Sequence, residues 1–178
     1  MGRRTADPTK RRDLVDRDET IEALRRDLFT ATANRGLVYA AILREMRKEL
    51  GEERASQIFK RAIFDHGVRM ARFLDPPAGL EDFRDWLLAF LPGGGAMHEP
   101  EVIRCDRDRL DVKMHRCPLK EGWRMMNLSE DEVADLCRHA DAFDHGFFGS
   151  VFDYSMDLWS GQPDDSCILH FRPKRGNQ

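Results

Sequence analysis

Apolar residues return every three or four positions through the first half of this chain and every second position through much of the rest. Ile21, Leu24, Leu28 and Ala31 are spaced as one face of a helix, and after Gly36 so are Val38, Ile42, Met46 and Leu50, which predicts two amphipathic helices separated near the glycine. Gly51 punctuates. Ala55, Ile58, Phe59, Ala62, Ile63, His66 and Met70 then mark a third helix, which must stop by Asp75 because Pro76 and Pro77 follow and proline cannot continue a helix. Phe83, Trp86, Leu87 and Phe90 outline a short fourth one.

Pro92 and the three glycines behind it form the strongest breaker, and beyond them the period changes. Val102 to Cys105 and Leu110 to Arg116 read as a hairpin turning at Asp106-Arg107-Asp108, because Leu110, Val112 and Met114 alternate with Asp111, Lys113 and His115. Pro118 suits a first helical position, so Cys117 becomes the N-cap of a short helix over Leu119 to Met126. Ser129, with Glu132 three residues on, is a capping box that opens a helix whose stripe Val133, Leu136, Cys137, Ala140 and Phe143 runs to Gly146. Phe152, Tyr154, Met156 and Leu158 alternate as a third strand, and Cys167, Leu169 and Phe171 as a fourth, with the turn at Gly161 to Asp165. The expectation is an α+β domain over residues 14–178. Its helical part, 14–92, packs against a small antiparallel sheet of two hairpins in 96–178, with two helices inserted between the hairpins; residues 1–13 are expected to be a disordered basic arm.

Composition adds bounds to this picture. A length of 178 residues with 41% hydrophobic content suits one core. The 29 basic and 32 acidic residues nearly cancel to a formal charge of −3, which argues against nucleic acid as the main partner. Arg3-Arg4 lacks the apolar stretch that an export signal needs behind it, and no run approaches the roughly 18 apolar residues of a membrane span. A cytoplasmic protein without membrane association is therefore expected, with its four cysteines as reduced thiols. Their irregular spacing lacks the paired CxxC of a structural zinc site, so neither metal nor cofactor is expected. The charged amphipathic helices of the first half could form a homodimer interface.

Candidate chemistry gathers in the second half. A thiol at a helix N-terminus meets the positive end of the helix dipole and unpaired N–H groups, which favour its thiolate, so Cys117 is a candidate nucleophile; otherwise it is a small residue at a tight corner. His115 lies two residues earlier on the same strand face and could shuttle a proton, unless it is simply a solvated strand histidine. Cys137, Asp141, Asp144 and His145, at offsets of 0, 4, 7 and 8, fall on one side of their helix. Carboxylates beside a core-facing stripe lose solvation and rise in pKa, which suits acid–base work near neutrality; the alternative is that they sit at the stripe's edge and pair with arginines. Cys167 shares its face with Leu169 and Phe171 and reads first as a buried apolar residue, while His170 faces the other way. Cys105 and His66 read as structural, His98 and His139 as surface residues. The triglycine lacks the Lys-Ser/Thr of a phosphate loop, and no HExxH, GxSxG or EF-hand pattern occurs.

The order Cys117-Pro118, then Cys137 with Asp141 four residues on in Leu-Cys-Arg-His-Ala-Asp, then Gly161 and Asp165-Ser166-Cys167-Ile168-Leu169-His170-Phe171, resembles the L-2-amino-thiazoline-4-carboxylic acid hydrolase family over about the last 80 residues. The resemblance implies hydrolysis of a carbon–nitrogen bond in a small cyclic amidine. It carries Cys117, Cys137, Asp141 and Cys167 forward as functional residues, with Asp144 a second acid–base candidate and His115, His145 and His170 possible substrate contacts. The segment Ile168-Leu169-His170-Phe171 is longer and more apolar than the family's usual ending. The competing expectation is a sensor domain that grips a small molecule or metal without turnover.

Overall fold

The computed structural model describes residues 8–74, 77–162 and 165–174, with side chains described from residue 17 onward. The elements run α1 (Pro8–Leu50), α2 (Glu52–Met70), α3 (Leu80–Phe90), β1 (Pro100–Cys105), β2 (Leu110–Met114), α4 (Pro118–Met125), α5 (Glu130–Ala140), α6 (Ala142–Phe148), β3 (Phe152–Asp157) and β4 (Cys167–Pro173). This is an α+β fold. No described helix is long and apolar enough to cross a membrane.

Two helices were expected before Leu50, and there is one, uninterrupted through Gly36. The glycine serves packing instead of a break. A Cβ there would lie 3.2 Å from the Leu119 carbonyl oxygen and 3.1 Å from the Trp123 indole nitrogen. Its absence lets α4 approach α1 until Trp123 Nε1–H donates to the Gly36 carbonyl at 2.6 Å. Trp123 is thereby buried with its polar atom satisfied. Residues 8–13 of the expected disordered arm belong to this same helix, and 1–7 lie outside the described residues.

The sheet is antiparallel, in the order β1-β2-β4-β3. Each expected hairpin forms, and β2 joins β4 by pairing Leu110 with Phe171 and Val112 with Leu169. Alternation therefore holds across the sheet: Leu110, Val112, Phe152, Tyr154, Leu169 and Phe171 face inward onto Phe83, Leu87, Phe147 and Phe148 of α3 and α6. A second cluster gathers Leu43, Phe59, Ile63, Trp123, Val133 and Trp159 between the longer helices. Cys167 packs against both clusters and so lies where they meet.

The insert between the hairpins differs from expectation in one respect. Ser129 and Glu132 form the capping box in both directions, but the helix they open divides at Asp141, which ends α5 and caps α6. Three helices, not two, separate the hairpins.

Candidate functional site

Strand β2 ends at Met114, and the chain turns over Cys117, whose extended backbone (φ −144°, ψ 112°) passes into Pro118 at the first turn of α4. The corner places Cys117 beside an open cleft of about 490 Å³ that also presents Lys113, His115, Lys120 and Ser166. Behind the corner stand Cys137 on α5, Asp141 and Asp144 at the start of α6, and Cys167 and Tyr154 on the inner face of the sheet.

Electrostatics ties these groups together and reverses one expectation. The backbone N–H groups of Leu119 and Lys120 do favour the Cys117 thiolate, yet burial outweighs them and pushes this thiol above its ordinary value, with the nearby Asp144 carboxylate adding to the rise. Cys117 is a protonated thiol at rest. Burial pushes Cys137 up to about 12, helped by the neighbouring Cys117 and Cys167. Cys167 rises to about 11, again mainly by burial, even though Trp159 N–H donates to its sulfur at 3.4 Å.

The carboxyls behave as the spacing suggested. Burial, then the charge of Asp141, pushes Asp144 up to about 7, against the opposing pull of Arg35. Asp144 thus holds its proton about half the time near neutrality, the condition for passing a proton both ways. Asp141 is raised by burial despite an ion pair from its Oδ2 to His145 Nε2 at 3.1 Å, and its Oδ1 is buried without a hydrogen-bond partner. The Tyr154 hydroxyl, also buried without a partner, is raised by burial and by the charges of Asp144 and Asp141. A folded chain rarely leaves buried polar atoms unsatisfied, so these two are free to take up a polar partner.

The expected histidines separate. His145 joins the cluster, its ring edge-on to Tyr154 with centroids 5.2 Å apart. His115 lines the cleft and meets Glu101 at 2.7 Å. His170 points from the sheet's outer face to Asp111 at 2.7 Å and Asp157 at 3.0 Å, away from the inward-facing thiol of Cys167. Two histidines expected at the surface are not there. His139 is buried, held by Ser56 at 2.8 Å and the Asp135 carbonyl at 2.7 Å. His98 is half-buried, lowered to about 4 by burial and then by Arg35, and its Nδ1 has no partner.

Arg35 and Tyr154 were not weighed as site residues from the sequence, and His98 was set aside as a surface residue. Of the three, only Tyr154 left a signal: its hydroxyl rides in the inward phase of β3, between Phe152 and Met156.

Among the described residues, Glu52, Asp135 and His139 place possible metal-ligand atoms within 4.8 Å of one another, whereas the three sulfurs do not gather in this way. Arg47 already bridges Glu52 and Asp135, and both ring nitrogens of His139 are engaged. That group reads as a structural ion network.

A family profile described as L-2-amino-thiazoline-4-carboxylic acid hydrolase matches residues 32–171. No curated protein matches the chain. Among solved structures, the chain is similar to the phenol-responsive sensory domain of the transcription activator PoxR with phenol, at 17% identity and a TM-score of 0.47, covering 80% of this chain and 74% of that one.

Proposed function

Because this chain belongs to the L-2-amino-thiazoline-4-carboxylic acid hydrolase family, we propose that it hydrolyses a carbon–nitrogen bond in a small cyclic amidine, with Cys117 as nucleophile and Asp144 as the acid and base. The observation that carries this reading is a carboxyl poised at about 7 close enough to the Cys117 thiol for its charge to raise that thiol, in a partly closed corner. An amidine is protonated near neutral pH. Its cation, set beside Cys117, would offset the burial that keeps the thiol protonated and so help form the thiolate where it is needed.

In this scheme ionised Asp144 takes the Cys117 thiol proton as the sulfur bonds to the amidine carbon, and the ring carbon–nitrogen bond breaks as Asp144 passes that proton to the nitrogen. Asp144 then takes a proton from water, whose oxygen displaces the sulfur, and that proton returns to the sulfur when it is released; the sum is addition of one water. The N–H groups of Leu119 and Lys120 stabilise negative charge on the Cys117 sulfur. The unpartnered Asp141 Oδ1 and Tyr154 hydroxyl supply an acceptor and a donor for the substrate, with Cys137, Cys167 and His145 shaping the surrounding wall. Lys120, which lies over the Trp159 ring at 4.5 Å, offers a cation at the cleft for a substrate carboxylate. His115 shares that cleft, and His170 has no part in this scheme. A cytoplasmic setting, which would keep these thiols reduced, accords with it.

The raised pKa values of all three thiols also favour a second reading, in which the same pocket holds a small molecule without turnover. Mass spectrometry of L-2-amino-thiazoline-4-carboxylate and related cyclic amidines, incubated with the wild type, Cys117→Ser and Asp144→Asn, separates the two. Addition of one water by the wild type alone supports the hydrolase. Binding by calorimetry with every compound left intact supports the sensor.

A further inference from the structure

The body of the protein uses one face of α1 and leaves another bare. Ala33, Gly36, Ala40 and Leu43 are buried against the helices below. On a different side, Ile21, Leu24, Leu28, Val38 and Ile42 are all exposed, Leu24 by 62%. From Arg17 to Ala31 no side chain of α1 is buried. A helical segment with so little packing is marginal alone in water, and its stability must come from an apolar partner.

The spacing says what kind of partner. Ile21, Leu24, Leu28 and Ala31 alternate by three and four, as do the core positions of a two-stranded coiled coil, and Arg35, Val38 and Ile42 continue the register. A parallel pairing would stack Arg17 on Arg17 and Arg35 on Arg35. An antiparallel pairing centred between Leu24 and Leu28 would set Arg25 against Arg25 and Asp27 against Asp27. Centring it between Ile21 and Leu24 instead layers Ile21 on Leu24 of the other copy and sets Asp18 opposite Arg25 at both ends of the contact. Of the three, only the last sets opposite charges beside its central apolar layers, with Leu28 lying along the aliphatic stem of Arg17 of the other copy at each end.

We propose that the exposed stripe of α1 binds a second copy of this chain, two such helices packing antiparallel about a two-fold axis between Ile21 and Leu24. This contact is isologous and closes on itself, giving a dimer and no larger assembly. Arg25, which meets Glu22 within its own helix at 2.6 Å, is exposed and also reaches Asp18 of the other copy. The pairing lies outside the proposed catalytic cluster and does not depend on it.

The test is sedimentation equilibrium of the full chain. The wild type is expected to be a dimer, and Ile21→Glu combined with Leu24→Glu a monomer whose near-ultraviolet circular dichroism is unchanged, since Trp86, Trp123 and Trp159 all lie in the body. Asp18→Arg and Arg25→Asp should each weaken the dimer by roughly tenfold, as two attractive contacts become repulsive, and together restore it. A wild type that stays monomeric at all concentrations overturns the proposal and leaves the stripe to a different protein. A dimer untouched by the glutamates overturns it as well, and a double charge swap no better than either single one overturns the antiparallel register.

Discussion

Gly67 on α2 and Gly146 on α6 face each other at a helix crossing so tight that a Cβ on either would stand 2.2 Å from a backbone oxygen of the other helix, Phe143 O in one case and Phe64 O in the other. Neither oxygen can move without its helix. Gly146→Ala is therefore expected to force α6 away from α2 and to destabilise the fold by about 1–3 kcal/mol, the usual range for overpacking. Urea unfolding followed by Trp fluorescence reads this directly. Because α6 carries Asp144 two residues earlier, the same variant should lose ligand binding or turnover beyond what its stability explains.

The sheet was legible because its signal is local. Strict alternation from Leu110 to Met114, and the recurrence of Cys167, Leu169 and Phe171 at every second position, mark both strands and their inward face. The capping box at Ser129 was equally local. What the sequence hid depends on partners far along the chain. Gly36 looks like a break until Trp123 arrives to use its carbonyl. His139 looks polar and exposed until Ser56 closes over it. The Cys117 thiol was read from its own helix, whose dipole favours the thiolate, but the surrounding burial that decides the matter comes from other elements. Cys137 and Asp141 stay together although the helix breaks at Asp141, because Asp141 N–H still donates to the Cys137 carbonyl at 3.0 Å and His145 N–H to the Asp141 carbonyl at 3.1 Å.

Asp144 gives a pH signature. Its folded pKa, about 7, lies above the 3.8 of an unperturbed aspartate. Between those values the folded state holds a proton that the unfolded state has lost, so stability falls as pH rises from about 4 to about 7 and then levels off. Asp144→Asn removes this slope and should gain stability relative to wild type at pH 8 compared with pH 5. Thermal unfolding of both proteins at the two pH values checks the sign; parallel curves would show that Asp144 titrates normally.

Thiol reactivity gives a third expectation. With burial raising Cys117, Cys137 and Cys167, the resting protein should alkylate slowly with iodoacetamide at pH 7, more slowly than free cysteine, with rates climbing as pH is raised. Peptide mapping by mass spectrometry assigns each site. A cationic amidine that binds without turning over should accelerate Cys117 if it lowers that thiol, and an anionic analogue should not. Rapid labelling of Cys117 in the free protein would mean that the helix N-terminus outweighs burial after all.

On the outer face of the sheet, His170 bridges β4 to Asp111 of β2 and Asp157 of β3, while Arg109 meets Asp111 at 2.7 Å. Partial burial works to lower His170, but the two carboxylates prevail and raise it above 6.5. Its contribution to stability is therefore complete below about 6.5 and is lost as pH climbs through the raised value. Asp111 moves the other way: burial opposes ionisation, but Arg109 and His170 hold it below 3.8, so its contribution fades only as pH falls through that lowered value. Between these limits both groups are charged and the three strands are held together most firmly. His170→Gln should cost about 1–2 kcal/mol at pH 6 and distinctly less at pH 9, where the imidazole is already neutral. Urea midpoints at the two pH values test this, and an equal loss at both would mean that packing, not charge, is what His170 contributes to the sheet.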